Sequence, residues 1–299
     1  MSILFSHFLS KNNEIRPQEA DFTEVLSSIA VVPKMLYFYG KLPEKRVKSV
    51  AIVGTRKPTE YGARIAKKLA YDVAKRGAVV VSGLAYGIDS IAHRGALEAG
   101  CTTIAVLGTP IDYIYPRAHV GLAEEIVQTG GAVMSELAPG AEYHAKTCFL
   151  ERNRIIAGLA DVVVVVEAAE RSGSLNTAAH ALEQGKDIFA VPGDITRPLS
   201  KGCNRLLRQG AMPYLEPSDV LDVLFPVSKK QRKDTQMQLL LGDNEVETAI
   251  LRLVAAGVER GEEILVKTGL KVAEFNQNIM MLEIKGRVMA LGMNRWALK

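Results

Sequence analysis

Ala78-Val79-Val80-Val81-Ser82-Gly83-Leu84-Ala85-Tyr86-Gly87-Ile88-Asp89-Ser90-Ile91-Ala92-His93 runs from an uninterrupted apolar stretch, through a turn punctuated by glycine, into a helical pattern. A strand with no polar residue on either face is buried on both. A helix directly after it indicates strand–helix–strand units and a parallel sheet. The pattern recurs along the chain. Val50-Ala51-Ile52-Val53 ends at Gly54 before a helical stretch through Ala66-Lys67-Lys68-Leu69-Ala70, and Thr103 to Leu107 ends at Gly108. Val133-Met134 before Ser135, Val162 to Val166 before Glu167, and Ile188 to Val191 before Pro192-Gly193 complete the series. Residues 46–226 therefore read as an α/β domain with a doubly wound parallel sheet.

The flanks read differently. Residues 1–45 are expected to be a short N-terminal extension carrying an aromatic patch, Pro33-Lys34-Met35-Leu36-Tyr37-Phe38-Tyr39-Gly40. Residues 227–240 contain the charge run Ser228-Lys229-Lys230-Gln231-Arg232-Lys233 and read as a basic linker, either a solvated tether or an electrostatic arm. Residues 241–299 form a separate unit. Helices around Glu247–Ala256, to near Lys267, and from about Leu270 to Glu283, then a hairpin ending in Arg295-Trp296-Ala297-Leu298, predict a winged helix-turn-helix. From Leu241 to Lys299 there are eight Lys/Arg and eight Asp/Glu, so no attraction to phosphate is built in. A protein-contact or regulatory role suits that tail better than reading duplex DNA.

Composition narrows the class. With 299 residues, 48% hydrophobic and 23% charged, the chain is neither disordered nor fibrous. Three cysteines lie far apart with no C-x-x-C pair, which argues against a disulfide framework or a zinc ribbon and fits a reducing cytosol. No run approaches the ~18 apolar residues of a membrane span. The apolar start Ile3-Leu4-Phe5 is broken by Ser6 and His7, so no export signal is expected and the location is expected to be cytoplasmic. The net charge of +4 does not by itself announce nucleic acid.

In an open parallel sheet, ligands bind beyond the carboxyl ends of the strands. Those ends here carry Gly54-Thr55-Arg56, Ser82-Gly83-Leu84-Ala85-Tyr86-Gly87, Gly108-Thr109 and Ser172-Gly173-Ser174. Glycine admits close approach of a ligand, and the helix N-termini that follow offer unpaired N–H groups suited to anionic oxygens. Neither G-x-G-x-x-G nor G-x-x-x-x-G-K-[ST] is present. The cations Arg56, Lys57, Lys146, Arg152 and Arg154 accompany the glycines instead, and phosphate contacts without a fixed nucleotide pocket suit a polynucleotide backbone. For Arg152 and Arg154 an ordinary ion pair on a helix surface is the competing reading. Catalytic signals are thin. Asp89 and His93 share a helix face, as an acid–base pair or as a helix N-terminal carboxylate beside a structural histidine. His7, His119, His144 and His180 show no metal-ligand spacing.

The segment from Ser82 to His93 resembles the DNA-processing protein DprA/Smf family. The likeness continues at Arg152-Asn153-Arg154-Ile155-Ile156-Ala157-Gly158-Leu159, Val166-Glu167-Ala168, Ser172-Gly173-Ser174-Leu175, Phe189-Ala190-Val191-Pro192-Gly193 and Gly202-Cys203-Asn204, and covers about Pro33 to Leu224. The resemblance implies an extended Rossmann-like fold and a homodimer. It also implies a protein that binds single-stranded DNA, protects incoming strands and helps load the RecA recombinase in natural transformation. Gly54 and Arg56 match the family's Gly-Ser-Arg turn, with Thr55 in place of Ser. Lys146 falls near its basic residue before Phe-Pro-x-Arg-Asn-Arg, with Leu150 replacing Pro, and Pro110 stands where a glycine is usual. Expected on phosphates are Arg56, Lys146, Arg152 and Arg154. Gly54, Thr55, Ser82, Gly83, Asn153, Ser172 and Gly173 are expected to build the crevice, with a base pocket near Gly87 and Asn176. The usual dimer surface falls around Asn204–Leu224. No cofactor, metal or catalytic residue is expected. The alternative is a Rossmann-like nucleotide phosphoribohydrolase, against which stands His180 at the position of that group's glutamate.

Overall fold

The computed structural model describes residues 12–226 and 241–298, and the chain divides into two compact units after Pro226. The expected linker, residues 227–240, and the apolar start lie outside the described residues.

The first unit is built on one nine-stranded sheet. Its strands are β1 (Asn13–Ile15), β2 (Leu36–Gly40), β3 (Ser49–Val53), β4 (Val79–Ser82), β5 (Thr103–Leu107), β6 (Ala132–Ser135), β7 (Val162–Val165), β8 (Asp187–Ala190) and β9 (Met212–Pro213), in the order β1-β2-β6-β5-β4-β3-β7-β8-β9. Strands β3 to β9 pair in parallel, while β2 runs antiparallel beside β6 and β1 antiparallel beside β2. The six apolar runs of the sequence are β3 to β8. Between the strands lie α1 (Glu60–Lys75), α2 (Ile88–Glu98), α3 (Val120–Gln128), α4 (Ala145–Leu159), α5 (Gly173–Glu183), α6 (Lys201–Arg208) and α7 (Pro217–Leu224). Alternate residues of a strand face opposite sides. Val50 and Ile52 join Leu69, Val73 and Ala92 of α1 and α2 in one core, and Ala51 and Val53 join Ile155, Leu159 and Ala178 of α4 and α5 in the other.

Residues 13–40 correct one expectation, because they are no extension: they supply two strands to the edge of the sheet. The aromatic patch is β2, paired to β1 on one side and β6 on the other, with Leu36 and Phe38 in one core and Tyr37 and Tyr39 in another.

The strand order reverses at β3. The chain moves from β3 through β4 and β5 to β6 on one side, then returns to lay β7, β8 and β9 on the other. Diverging connections leave a gap above β3 and β7, where such sheets bind ligands.

In the second unit α8 (Glu245–Ala255), α9 (Gly261–Thr268) and α10 (Val272–Ile284) precede a hairpin of β10 (Val288–Gly292) and β11 (Arg295–Leu298). Ile250, Leu251, Ile264, Phe275, Ile279, Leu282 and Val288 form its core.

Candidate nucleic-acid interface

The gap at the sheet's reversal is a crevice of about 240 Å³. Gly54, Thr55 and Arg56 enter it from the end of β3, Ala85 from the turn after β4 and Asp89 from the first turn of α2. Phe149, Arg152 and Asn153 come from α4, and Ser172, Gly173, Ser174 and Thr177 from the start of α5. Ser172 caps α5: its Oγ accepts the Ser174 N–H at 3.4 Å and lies 2.8 Å from the Ser174 hydroxyl. The unpaired amides and positive dipole end of an 11-residue helix therefore open on the crevice. Its polar lining is hydroxyls, amides and guanidinium groups, with no carboxylate but the buried Asp89, beside the apolar Val53, Phe149, Leu150 and Ile156.

Arg56 is exposed, with its guanidinium carbon 5.9 Å from the centroid of the Phe149 ring, and no carboxylate pairs with it among the described residues. Phe149 in turn packs on Tyr115, centroids 5.6 Å apart. A small recess beside the crevice is bounded by Arg56, Tyr86, Tyr115 and Phe149, and the two tyrosines are 47% and 41% exposed. These rings were not read as site residues in the sequence. The signal was present in Tyr86, an aromatic residue between two glycine turns at a strand end.

Arg152 forms the floor. Buried, it donates from one terminal nitrogen to the carbonyl of Gly83 at 2.8 Å and to that of Val106, and from Nε to Asn153 Oδ1 at 3.3 Å. Asp89 accepts the Gly83 amide at 3.1 Å and lies close enough to Arg152 for each to stabilise the other's charge. Burial nevertheless pushes Arg152 down to about 10 and raises Asp89. Arg152 thus clasps the ends of β4 and β5. A side chain at residue 83 would put its Cβ 2.6 Å from that guanidinium, which is why glycine stands there.

The remaining expected site residues are placed as follows. Asn153 donates to Gly173 O (3.3 Å) and Asn176 Oδ1 (3.1 Å), tying α4 to the start of α5. Ser82 is not in the crevice; it is fully buried and donates to Ile52 O at 2.7 Å. Arg154 is also elsewhere. It pairs with Glu136 at 2.7 Å and donates to the carbonyls of Val31 and Glu151, so its fork is taken up by neighbours. Asn176 lines a neighbouring groove with Val31, Arg154 and His180. Gly87, at φ +79°, caps α2 against the backbone of Thr55 and Arg56, where any Cβ would collide. Lys146 stands exposed in the first turn of α4. Of the four cations expected on phosphate, Arg56 and Arg152 reach the crevice, and only Arg56 is exposed there.

Asp89 and His93 are not an acid–base pair. His93 is fully buried with Nδ1 2.8 Å from Thr103 Oγ1, and burial, aided by His119 and Arg152, pushes it down to about 3. It is neutral near pH 7. His119 Nδ1 lies 2.7 Å from the carbonyl of Leu84, a buried residue at φ +57°. Among the described residues no group of His, Cys, Asp and Glu could hold a metal ion.

The family model for DNA recombination-mediator protein A matches residues 13–225, nearly all of the first unit. The chain belongs to that family. The recombination-mediator match begins at β1, the strand at the edge of the sheet. Protein Smf of Escherichia coli is 41% identical over 217 residues, 71% of this chain but 57% of that one, so the chain spans little more than half of that relative. The crystal structure of DNA processing protein A from Streptococcus pneumoniae matches at TM-score 0.65 and 40% identity, over 72% of this chain and 75% of that one. DNA processing protein A from Helicobacter pylori, solved to describe its single-stranded DNA binding mode, matches at TM-score 0.63 and 33% identity, over 73% of this chain and 97% of that one.

Proposed function

We propose that this recombination mediator binds single-stranded DNA without regard to sequence, protects incoming strands and helps load RecA during natural transformation. The observation that carries the binding step is the exposed Arg56 guanidinium, in no salt bridge among the described residues, which lines the crevice with the Phe149 ring and the N-terminus of α5. A phosphodiester meets a forked cation, helix amides and the hydroxyls of Thr55 and Ser172, and an unpaired base has Phe149, Tyr115 or Tyr86 to stack on. A duplex keeps its bases stacked on one another and makes no use of those rings. The relative from H. pylori, described as binding single-stranded DNA, supports the reading.

The finer steps rest on the family. Homodimerisation fits the edge of the sheet at β9, where Leu206 and Met212 of the expected surface join Leu175, Leu182 and Ile188 in an apolar groove of about 510 Å³. The protein is proposed to act in the cytoplasm without catalysing a reaction, and the second unit is proposed to be a winged helix. No helix of the described residues is long and apolar enough to cross a membrane. Nucleotide hydrolysis is disfavoured: His180, at the glutamate's position, lies outside the crevice with Nδ1 3.3 Å from Glu183.

Fluorescence anisotropy of a labelled oligo-dT, in a salt series and with duplex as competitor, tests the reading. Tight binding that weakens with salt and survives duplex is the expected result. No binding at low salt would overturn it and leave the crevice to a small phosphorylated ligand.

A further inference from the structure

Beyond the crevice the aromatic surface continues. Tyr115 packs on Phe149, and past it Tyr113 and Tyr143 form a second pair, centroids 6.2 Å apart and tilted by 42°. Partial burial, then the neighbouring Tyr113, Tyr115 and Cys148, push the Tyr143 phenol above its ordinary value, so these side chains stand together. The exposed Arg117 carries its guanidinium carbon to 5.8 Å from the Tyr113 centroid. Tyr113 and Tyr143 lie on different loops, and the loops are pinned to each other. Both carboxylate oxygens of Asp112 accept the Gly140 amide, at 3.1 and 3.0 Å.

Two packed rings with a cation beside one of them repeat the arrangement of Phe149, Tyr115 and Arg56. Among the described residues neither phenol makes a hydrogen bond to the fold, and the core beneath these loops includes Ile111 and Ile114 rather than the two rings. Rings left at a surface beside an arginine suit a ligand that alternates flat faces with negative charge, which is the chemistry of an unpaired polynucleotide.

We propose that Tyr113, Tyr143 and Arg117 form a second station for the strand, where a base beyond the crevice stacks on the tyrosine pair and Arg117 meets an adjacent phosphate. The proposal rests on the single-strand reading above and extends it from a pocket to a path.

Anisotropy titrations with oligo-dT of graded length test it. In wild type, affinity climbs as strands grow long enough to leave the crevice. The double variant Tyr113→Ala, Tyr143→Ala is expected to lower the ratio of long-strand to short-strand affinity about tenfold. Tyr113→Phe, Tyr143→Phe is expected to retain it, because stacking needs the ring and not the hydroxyl. An unchanged ratio in the alanine variant, or an equal loss in the phenylalanine variant, overturns the station while leaving the crevice in place. Failure of wild type to bind any strand overturns the single-strand reading and the station with it. A long strand carrying 5-iodouracil gives a test without substitution. Photocrosslinks to peptides containing Tyr113 or Tyr143 are expected, and crosslinks confined to crevice peptides overturn the proposal.

Discussion

The guanidinium of Arg152 has two backbone carbonyls for partners, and that of Arg56 has an aromatic face and solvent. Substitutions should separate the two roles. Arg56→Glu is expected to abolish binding of oligo-dT while the fold is kept, since that side chain is exposed and makes no salt bridge or hydrogen bond among the described residues. Arg152→Lys keeps one charged nitrogen for the two strand ends but removes the Nε–H that bonds Asn153 Oδ1. Losing that buried bond is expected to cost ~1–3 kcal/mol in a denaturant titration. Loss of affinity in step with loss of stability would mark Arg152 as the strut described here. Loss of affinity at full stability would restore it to the phosphate. The sequence could not distinguish these fates. An arginine beside another arginine on a helix announces charge, but whether its hydrogen bonds go to backbone or to ligand is decided by burial, which depends on strands far away in the chain. Arg154, engaged by Glu136, shows the same limit.

At the scale of elements, what was legible followed how a strand is buried. Strands β3 to β8 are covered on both faces and read as unbroken apolar runs. Strand β2 is aromatic rather than aliphatic, begins close to a proline and pairs antiparallel, and β9 has two residues, so neither carries that signature. The helices and hairpin of the second unit were legible from periodicity. Its internal tie was not: Lys285 reaches Asp243 at 2.6 Å and Glu247 at 2.8 Å, and Glu247 is buried. Hydrogen bonds to these carboxylates raise Lys285, and Lys285 lowers Asp243. Stability from the depressed Asp243 is complete above its ordinary value and lost as pH falls through the lower folded one. Stability from the raised Lys285 is complete below its ordinary value and lost as pH rises through the higher folded one. Lys285→Met is therefore expected to lower the melting temperature of this unit at neutral pH, with the difference from wild type shrinking in acid as Asp243 takes up its proton. Fluorescence of Trp296, the single tryptophan, follows this unit selectively. An equal difference at every pH would refute the assignment.

For the whole molecule, the crevice and the second station are built entirely from the first unit. A chain ending at Pro226 is expected to fold and keep its affinity for a single strand, checked by the same anisotropy titration. Loss of binding by such a folded chain would assign part of the strand's path to the residues removed. The position of β3 has a further consequence. Three strands lie beyond it on one side and five on the other. The sheet acts as a beam loaded at mid-span: fraying at either free end stops short of the loops proposed to hold the strand. Amides at the end of β3 are then expected to exchange with deuterium only as the sheet opens around them, so the proposed grip would be set before a strand arrives.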